Sequence, residues 1–294
     1  MPNFVRYGFY PLLLAVTLTA AILVLRSDGD LQRAFAAFAF VRLALLFAVE
    51  RAAPCRREWG MTWRSFLRDL KYAVVLGGGG FAVKFAAGWL AIGMAERSLG
   101  ALSRWPVVAQ LIVLALTYEF FQYWLHRYSH AARGKLGRFL WRTHVQHHLP
   151  QRVYLLMHVV SHPINFIMVM IVNVAVIRGL GVGEDAVFLF NVILGLQGLV
   201  SHFNVRIHAG PLNYLLVGTE LHRIHHSADP QDAGNYGVLT PFWDIVFGTF
   251  RYRPGHEPTA LGVHTPQDYP TSNQILATLL LPFRPMRHHA GDEP

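Results

Sequence analysis

Apolar residues come in long runs over the first two thirds of the chain, parted by short basic connections. Residues 8–25 (GFYPLLLAVTLTAAILVL) carry no charge and approach the roughly 20 residues that a helix needs to cross hydrocarbon. Further runs follow at 35–49, 72–95, 107–122, 164–180 and 186–202. The second holds Arg42 and the third Lys84, so each also fits a tilted or half-buried segment. Six spans are expected, with five, or four plus re-entrant pieces, as the alternatives.

From residue 206 the pattern turns polar, and from 254 it is rich in proline. The expected division is 1–105 as N-terminal transmembrane helices, 106–253 as a histidine-bearing core with further membrane helices, and 254–294 as a tail. Residues 107–148 read as one long helical pattern leaving the bilayer, broken near Gly134 and Gly137. In the tail, SNQILATLLLPF (272–283) fits a short interfacial helix or plain packing. The run Gly77 to Gly80 suggests close helix packing or a kink; it matches no phosphate-binding spacing.

Composition supports a bilayer. Hydrophobic residues make up 53% and charged residues 15%, against about 25% charged in soluble domains. The first run lacks a small-residue cleavage site ahead of a polar domain, so it is expected to be retained as a span and not removed as a signal peptide. The single Cys55 excludes an internal disulfide framework. The net charge of +9 is placed for a membrane, not for nucleic acid. Arg51, Arg56, Arg57, Arg64, Arg68 and Lys71 crowd the second connection, and Arg127, Arg133, Lys135, Arg138, Arg142 and Arg152 the fourth. Residues 96–106 and 178–185 are far less basic. Lys and Arg mark cytoplasmic loops, so six spans put both termini inside; Arg6, Arg251 and Arg253 agree. The connections after spans four and six then share the cytoplasmic side.

Those two connections carry the chemistry. Of sixteen histidines, twelve lie between 126 and 226, concentrated in HRYSH (126–130), THVQHH (143–148) and LHRIHH (221–226). Helical residues three and four apart share a face, so His126 and His130 align, as do His144, His147 and His148, and His222, His225 and His226. Adjacent histidines cannot both sit at the centre of such a stripe. The pattern therefore spreads imidazoles widely enough to reach two ions. Imidazole is the commonest protein metal ligand and suits iron, zinc, copper and nickel. A lone histidine on an apolar helix is usually a hydrogen-bonded core residue, but eight in three boxes point to metal. His256, His264, His288 and His289 are expected in solvent.

The boxes resemble the HxxxH, HxxHH and HxxHH boxes of the fatty acid hydroxylase / sterol desaturase superfamily, integral-membrane di-iron enzymes. EFFQYWLHRYSH (119–130), SHPIN (161–165), SHFNV (201–205) and NYGVLTPFWDIVFGTF (235–250) resemble that family's flanking elements. The resemblance covers roughly 115–253. Two departures are Glu119 where Asp is commoner, and HHLP in place of HHS after His148. It implies an all-α, multi-pass membrane bundle: a four-helix anchor beneath a cytoplasmic helical cap that holds a histidine-rich dimetal site. By position the ligands are His126, His130, His144, His147, His148, His222, His225 and His226, with His202 a ninth and His162 a tenth. His158 and His208 match no ligand and are expected to be structural or to lie behind the ligands. Glu119, Glu220, Asp229 and Asp244 are candidates to orient the rings, and Asn204, Asn235 and Tyr236 are either polar support or turn formers.

The resemblance further implies an oxidoreductase with two iron ions (zinc fits the same imidazoles) and dioxygen as co-substrate. It would hydroxylate or desaturate a lipid, whether a sterol or hopanoid, a fatty acyl or sphingoid chain, an ether lipid or a carotenoid. The chain carries no GxGxxG after a strand, no iron–sulfur cysteine set and no HPGG element, so electrons are expected from a separate ferredoxin, cytochrome b5-like protein or flavoprotein reductase. A histidine-rich metal transporter is the rival reading. Transporter sites lie near the bilayer midplane on broken helices, whereas these boxes flank spans at one face. A haem protein is a weaker rival, because axial histidines come singly on facing helices.

Overall fold

In hydrocarbon only a helix or a closed barrel satisfies its own backbone, and the apolar runs fold accordingly. The computed structural model describes residues 3–27, 29–75 and 100–284. Five of its helices are long and apolar enough to cross a bilayer, so the chain is a multi-pass membrane protein. These are α1 (Phe9–Arg26, extended by a turn at Phe4–Gly8), α2 (Leu31–Ala52), α4 (Val107–Ala131), α6 (Pro163–Leu180) and α7 (Glu184–Ser201). Shorter helices are α3 (Trp63–Val75), α5 (Gly134–His148), α8 (Thr219–His225), α9 (Phe242–Val246) and α10 (Ile275–Leu279). No strand is present among the described residues, only one bridge between Ser227 and Leu261.

Of the six expected spans, the third is not a described helix. Its first residues, 72–75, belong to α3, which starts earlier than the apolar run suggested; the rest, including Lys84 and the Gly77 to Gly80 run, lies outside the described residues. The side chains of α3 show an inverted amphipathicity. Arg68, Asp69 and Tyr72 are buried, while Trp63, Leu67, Leu70 and Val74, all on one face, are exposed. Apolar residues turned outward at the end of a bundle fit the bilayer interface. The segment 272–283 combines both expected readings: Thr278 is buried on Tyr72 and Gln146 while Leu276 and Phe283 are exposed.

Helix α7 is the axis of the bundle. It is apolar around its circumference, as a buried helix should be, and packs against α1, α2, α4 and α8. The bundle has two distinct ends. At the distal end the α6–α7 turn meets the segment before α4, where the Cα of Gly181 lies 2.1 Å from the place a Cβ on Gly100 would occupy. Gly181 also takes the left-handed conformation that closes α6 (φ 58). Gln110 ties this end together, donating to the carbonyls of Ser103 and Trp105 and accepting from Gly183.

All histidine boxes lie at the other end. Helix α4 stops at Ala132, a left-handed residue (φ 47), so the long pattern breaks just before Gly134, as the sequence suggested. Gly137 is required there, since a Cβ would come 2.9 Å from the Ala132 carbonyl carbon. The chain doubles back as α5, packed on α4 and α6. The N-terminal turn reaches the same end, where His208 donates its backbone N–H to the Arg6 carbonyl.

Candidate metal centre

Nine histidines converge where the ends of α4, α5, α7 and α8 meet. They form two groups: His126, His130, His144, His148 and His225 in one, and His147, His202, His222 and His226 in the other. In each group every residue offers a ring nitrogen within 4.8 Å of the others. Each adjacent pair divides between the groups. His147 and His148 point to different ones, as do His225 and His226, while the His148 and His226 rings stack 4.4 Å apart where the groups adjoin.

Helix α8 has seven residues and is too short to persist alone, so its neighbours hold it. Thr219 donates to the Val200 carbonyl, Asn235 donates to the Leu221 carbonyl, and the Arg223 guanidinium donates to the carbonyls of Phe203 and Val205. Arg223 also lies over the Trp59 ring at 5.3 Å. With Arg223 drawn to that side, His222, His225 and His226 are left facing the site.

The ring nitrogens are ordered. Those facing outward meet carbonyls: His126 Nδ1 and Tyr236 O at 2.7 Å, His147 Nδ1 and Val160 O at 3.0 Å, His225 Nδ1 and Gly234 O at 2.9 Å, His202 Nδ1 and Gly198 O at 3.2 Å. A carbonyl accepts only, so each of these Nδ1 atoms carries the proton and each Nε2 is bare. Yet the bare Nε2 atoms of His147 and His202 face each other at 2.9 Å, and His222 Nε2 stands 3.0 Å from the same His202 nitrogen. Two bare lone pairs at that separation repel, and a cation between them removes the conflict. His130 Nε2 and His225 Nε2 are buried with no partner at all. Burial, reinforced by neighbouring imidazoles, holds His144, His148, His222 and His226 well below the usual histidine range, and burial does the same to His225. These five rings are therefore neutral, the form that ligates metal. The donor set fits two metal ions.

His162, read as a tenth ligand, stands apart. It caps α6, accepting from the Ile164 N–H on Nδ1, while Nε2 meets the Leu279 carbonyl at 3.1 Å. Both nitrogens are engaged elsewhere. His158 lies behind His202, their Nδ1 atoms 3.3 Å apart. His208 stacks on Tyr7 and meets Glu220 at 3.3 Å.

The expected carboxylates act differently from the reading of the sequence: in the hydrogen-bond pattern it is backbone carbonyls that meet the rings. Glu119 accepts from the N–H groups of Val238 and Leu239, and Asp244 from those of Tyr236 and Gly237 and from Thr249. Together they clamp the loop whose Tyr236 carbonyl holds His126. Glu220 accepts from Ala209 and Asn213 and braces the approach to α8, whereas Asp229 caps an exposed turn. Asn235 holds its loop in a left-handed turn (φ 54), paired on both sides to Arg251. Asn204 pairs with the backbone of Arg56.

Sequence reasoning missed Glu50. Buried in the last turn of α2, its Oε2 accepts from Leu155 at 2.9 Å and Asn204 at 2.8 Å. It thereby ties a spanning helix to both segments that bring His158 and His202 into place. The only signal was a carboxylate inside an apolar run, AVERAAP, which reads equally well as the start of a loop.

From the histidines a cavity of about 250 Å³ runs down between the spanning helices. His126, His144, His147, His202 and His222 line its upper end, and apolar side chains such as Phe166, Val169 and Leu194 its walls.

Residues 111–249 match the fatty acid hydroxylase family. The chain is also similar to an ornithine lipid hydroxylase from Rhizobium tropici, 27% identical over 269 residues that span 86% of this chain and 78% of the relative. No solved structure matches. The matched stretch is the histidine-box region, the same part of the chain whose boxes resemble that superfamily.

Proposed function

We propose that this chain is a member of the fatty acid hydroxylase family and a membrane-bound, dioxygen-dependent hydroxylase of a polar lipid, working with two iron ions. The observation that carries the reading is the paired set of neutral, inward-facing imidazoles at the head of a cavity between spanning helices. The family match and the similarity to a hydroxylase of ornithine lipid favour oxygen insertion over desaturation, and a lipid with a polar head over a sterol.

His126, His130, His144, His148 and His225 would hold one ion, and His147, His202, His222 and His226 the other. When bound, a pair of ferrous ions supplies the reduction of dioxygen that attack on an unactivated C–H bond requires. The chain's own work is positional. Carbonyls of Tyr236, Val160, Gly234 and Gly198 lock the Nδ1–H tautomer and aim each Nε2 inward. Apolar cavity walls exclude bulk water and admit the lipid from the bilayer. All-histidine ligation adds no negative charge, unlike the glutamate-rich sites of soluble di-iron bundles.

Hydroxylation consumes two electrons and two protons per dioxygen, and releases one water. A separate ferredoxin, cytochrome b5-like protein or flavoprotein would deliver the electrons. The basic connections favour the cytoplasmic face of the inner membrane for the site, where such donors are found. Neutralising Arg133, Lys135 and Arg138 together is expected to slow electron delivery and weaken its dependence on salt, measured as reduction rate against ionic strength. An unchanged rate would remove this face as the docking surface.

Lipid mass spectrometry of cells with and without the gene tests the activity. The expected result is a polar lipid one oxygen atom heavier only when the gene is present. A product two hydrogens lighter would instead establish desaturation, and an unchanged lipid profile would contradict both.

A further inference from the structure

A few polar groups interrupt the apolar walls of the cavity. Arg42, in the middle of spanning helix α2, is 4% exposed and lines it. Its Nε donates to the Phe38 carbonyl at 2.9 Å and its Nη1 to the Val192 carbonyl. No carboxylate among the described residues pairs with it. Its Nη2 stands 3.1 Å from the place a Cβ on Gly195 would fill, so the glycine keeps that end of the guanidinium accessible. Gln122 Oε1 and Asn173 Oδ1, which belong to residues lining the same cavity, are buried without a hydrogen-bond partner.

A charge inside a membrane protein is costly and is kept where it pairs with another group or serves function. A buried guanidinium held by two carbonyls still carries its full charge. Unpaired amide oxygens lining the same small space ask for hydrogen-bond donors. The arrangement complements a group that bears a negative charge together with N–H or O–H donors.

We propose that Arg42 anchors an anionic group of the lipid substrate, a carboxylate or a phosphate, with Gln122 and Asn173 accepting hydrogen bonds from donors beside it. This rests on the lipid hydroxylase reading and narrows its substrate class. A cavity of about 250 Å³ holds only part of a lipid, so the anchored part is the polar end. The register is set by α7: Gly195, beside Arg42, and Gly198, whose carbonyl holds His202 at 3.2 Å, are three residues apart, a rise of about 4.5 Å. The anchored group and the oxidised carbon then share one cavity, which places oxidation toward the polar end of the lipid. Planar guanidinium also favours two-point pairing with carboxylate or phosphate oxygens.

Binding to zinc-loaded protein in nanodiscs of neutral lipid tests this without turnover. The probes are N-palmitoylglycine, its methyl ester and palmitoyl lysophosphatidic acid, each titrated against wild type, Arg42→Gln and Arg42→Lys. Wild type is expected to bind at least one anion about tenfold or more tightly than the ester. Arg42→Gln should abolish that preference and Arg42→Lys keep part of it, with zinc content unchanged in both. Preference for the acylglycine alone assigns a carboxylate, and preference for the lysophosphatidate alone a phosphate. An equal response to ester and anions in wild type, or a preference that survives in Arg42→Gln, overturns the proposal. Because the zinc form binds without oxidising, these outcomes stand apart from success or failure of the hydroxylase assay.

Discussion

Replacing His147 by alanine is expected to lower bound metal from about two ions per chain to about one, and to abolish lipid oxidation. The same holds for His225→Ala, which strikes the other group. His147 faces His202 across 2.9 Å, with its outer nitrogen fixed on the Val160 carbonyl. Removing it opens one cage of four and leaves the cage of five standing. Losing a group behind a ligand costs about 10–100-fold in affinity or activity, and losing the ligand itself should cost more. His162→Ala is the contrast. Its two nitrogens serve Ile164 and Leu279, so metal content should stay at the wild-type value while the cap of α6 weakens. Metal analysis of the three purified variants reads both effects. Retention of full metal and activity in His147→Ala would remove that group from the site.

Glu119→Ala should produce the second large effect, though the carboxylate touches no imidazole. Glu119 is fully buried, and its two oxygens accept from the backbone N–H groups of Val238 and Leu239. Alanine leaves both donors unpaired, at about 1–3 kcal/mol each. The loop they hold presents the Tyr236 carbonyl to His126. Stability should fall by about 2–6 kcal/mol, with metal lost first from the group containing His126. Glu119→Gln keeps one accepting oxygen and should lie between wild type and alanine. Thermal unfolding in detergent, with metal content followed alongside, separates the outcomes. A variant as stable as wild type with full metal would show that the loop holds its shape without the clamp.

The sequence disclosed the parts of the site that depend on periodicity. Eight histidines at three- and four-residue spacing had to share helix faces, and the division of each HH pair between two groups follows from that spacing. His202 was reached only through the resemblance of SHFNV, since a single histidine at a helix end has no period. What lay hidden was the support. Carbonyls of Tyr236, Val160, Gly234 and Gly198 orient the rings, and any residue type offers a carbonyl, so no side chain announced them. The carboxylates Glu119 and Asp244 were noticed but misassigned. Each works through backbone N–H groups one step removed from the rings. Arg42 was read only as a sign that its run could be tilted or half-buried; its burial against the cavity is what the structure adds. Of the third span expected over 72–95, only 72–75 lies among the described residues, in a helix whose polar face is buried.

Inward-facing Nε2 atoms are expected to cage two cations side by side. X-ray absorption at the metal edge, on purified protein with metal content quantified, tests it most directly. Two ions per chain are expected in nitrogen-only shells, at about 2.0–2.1 Å if zinc-loaded, with a second metal scatterer a few ångströms away. A folded chain that binds at most one ion, or whose ions show sulfur or predominantly carboxylate ligation, would contradict it.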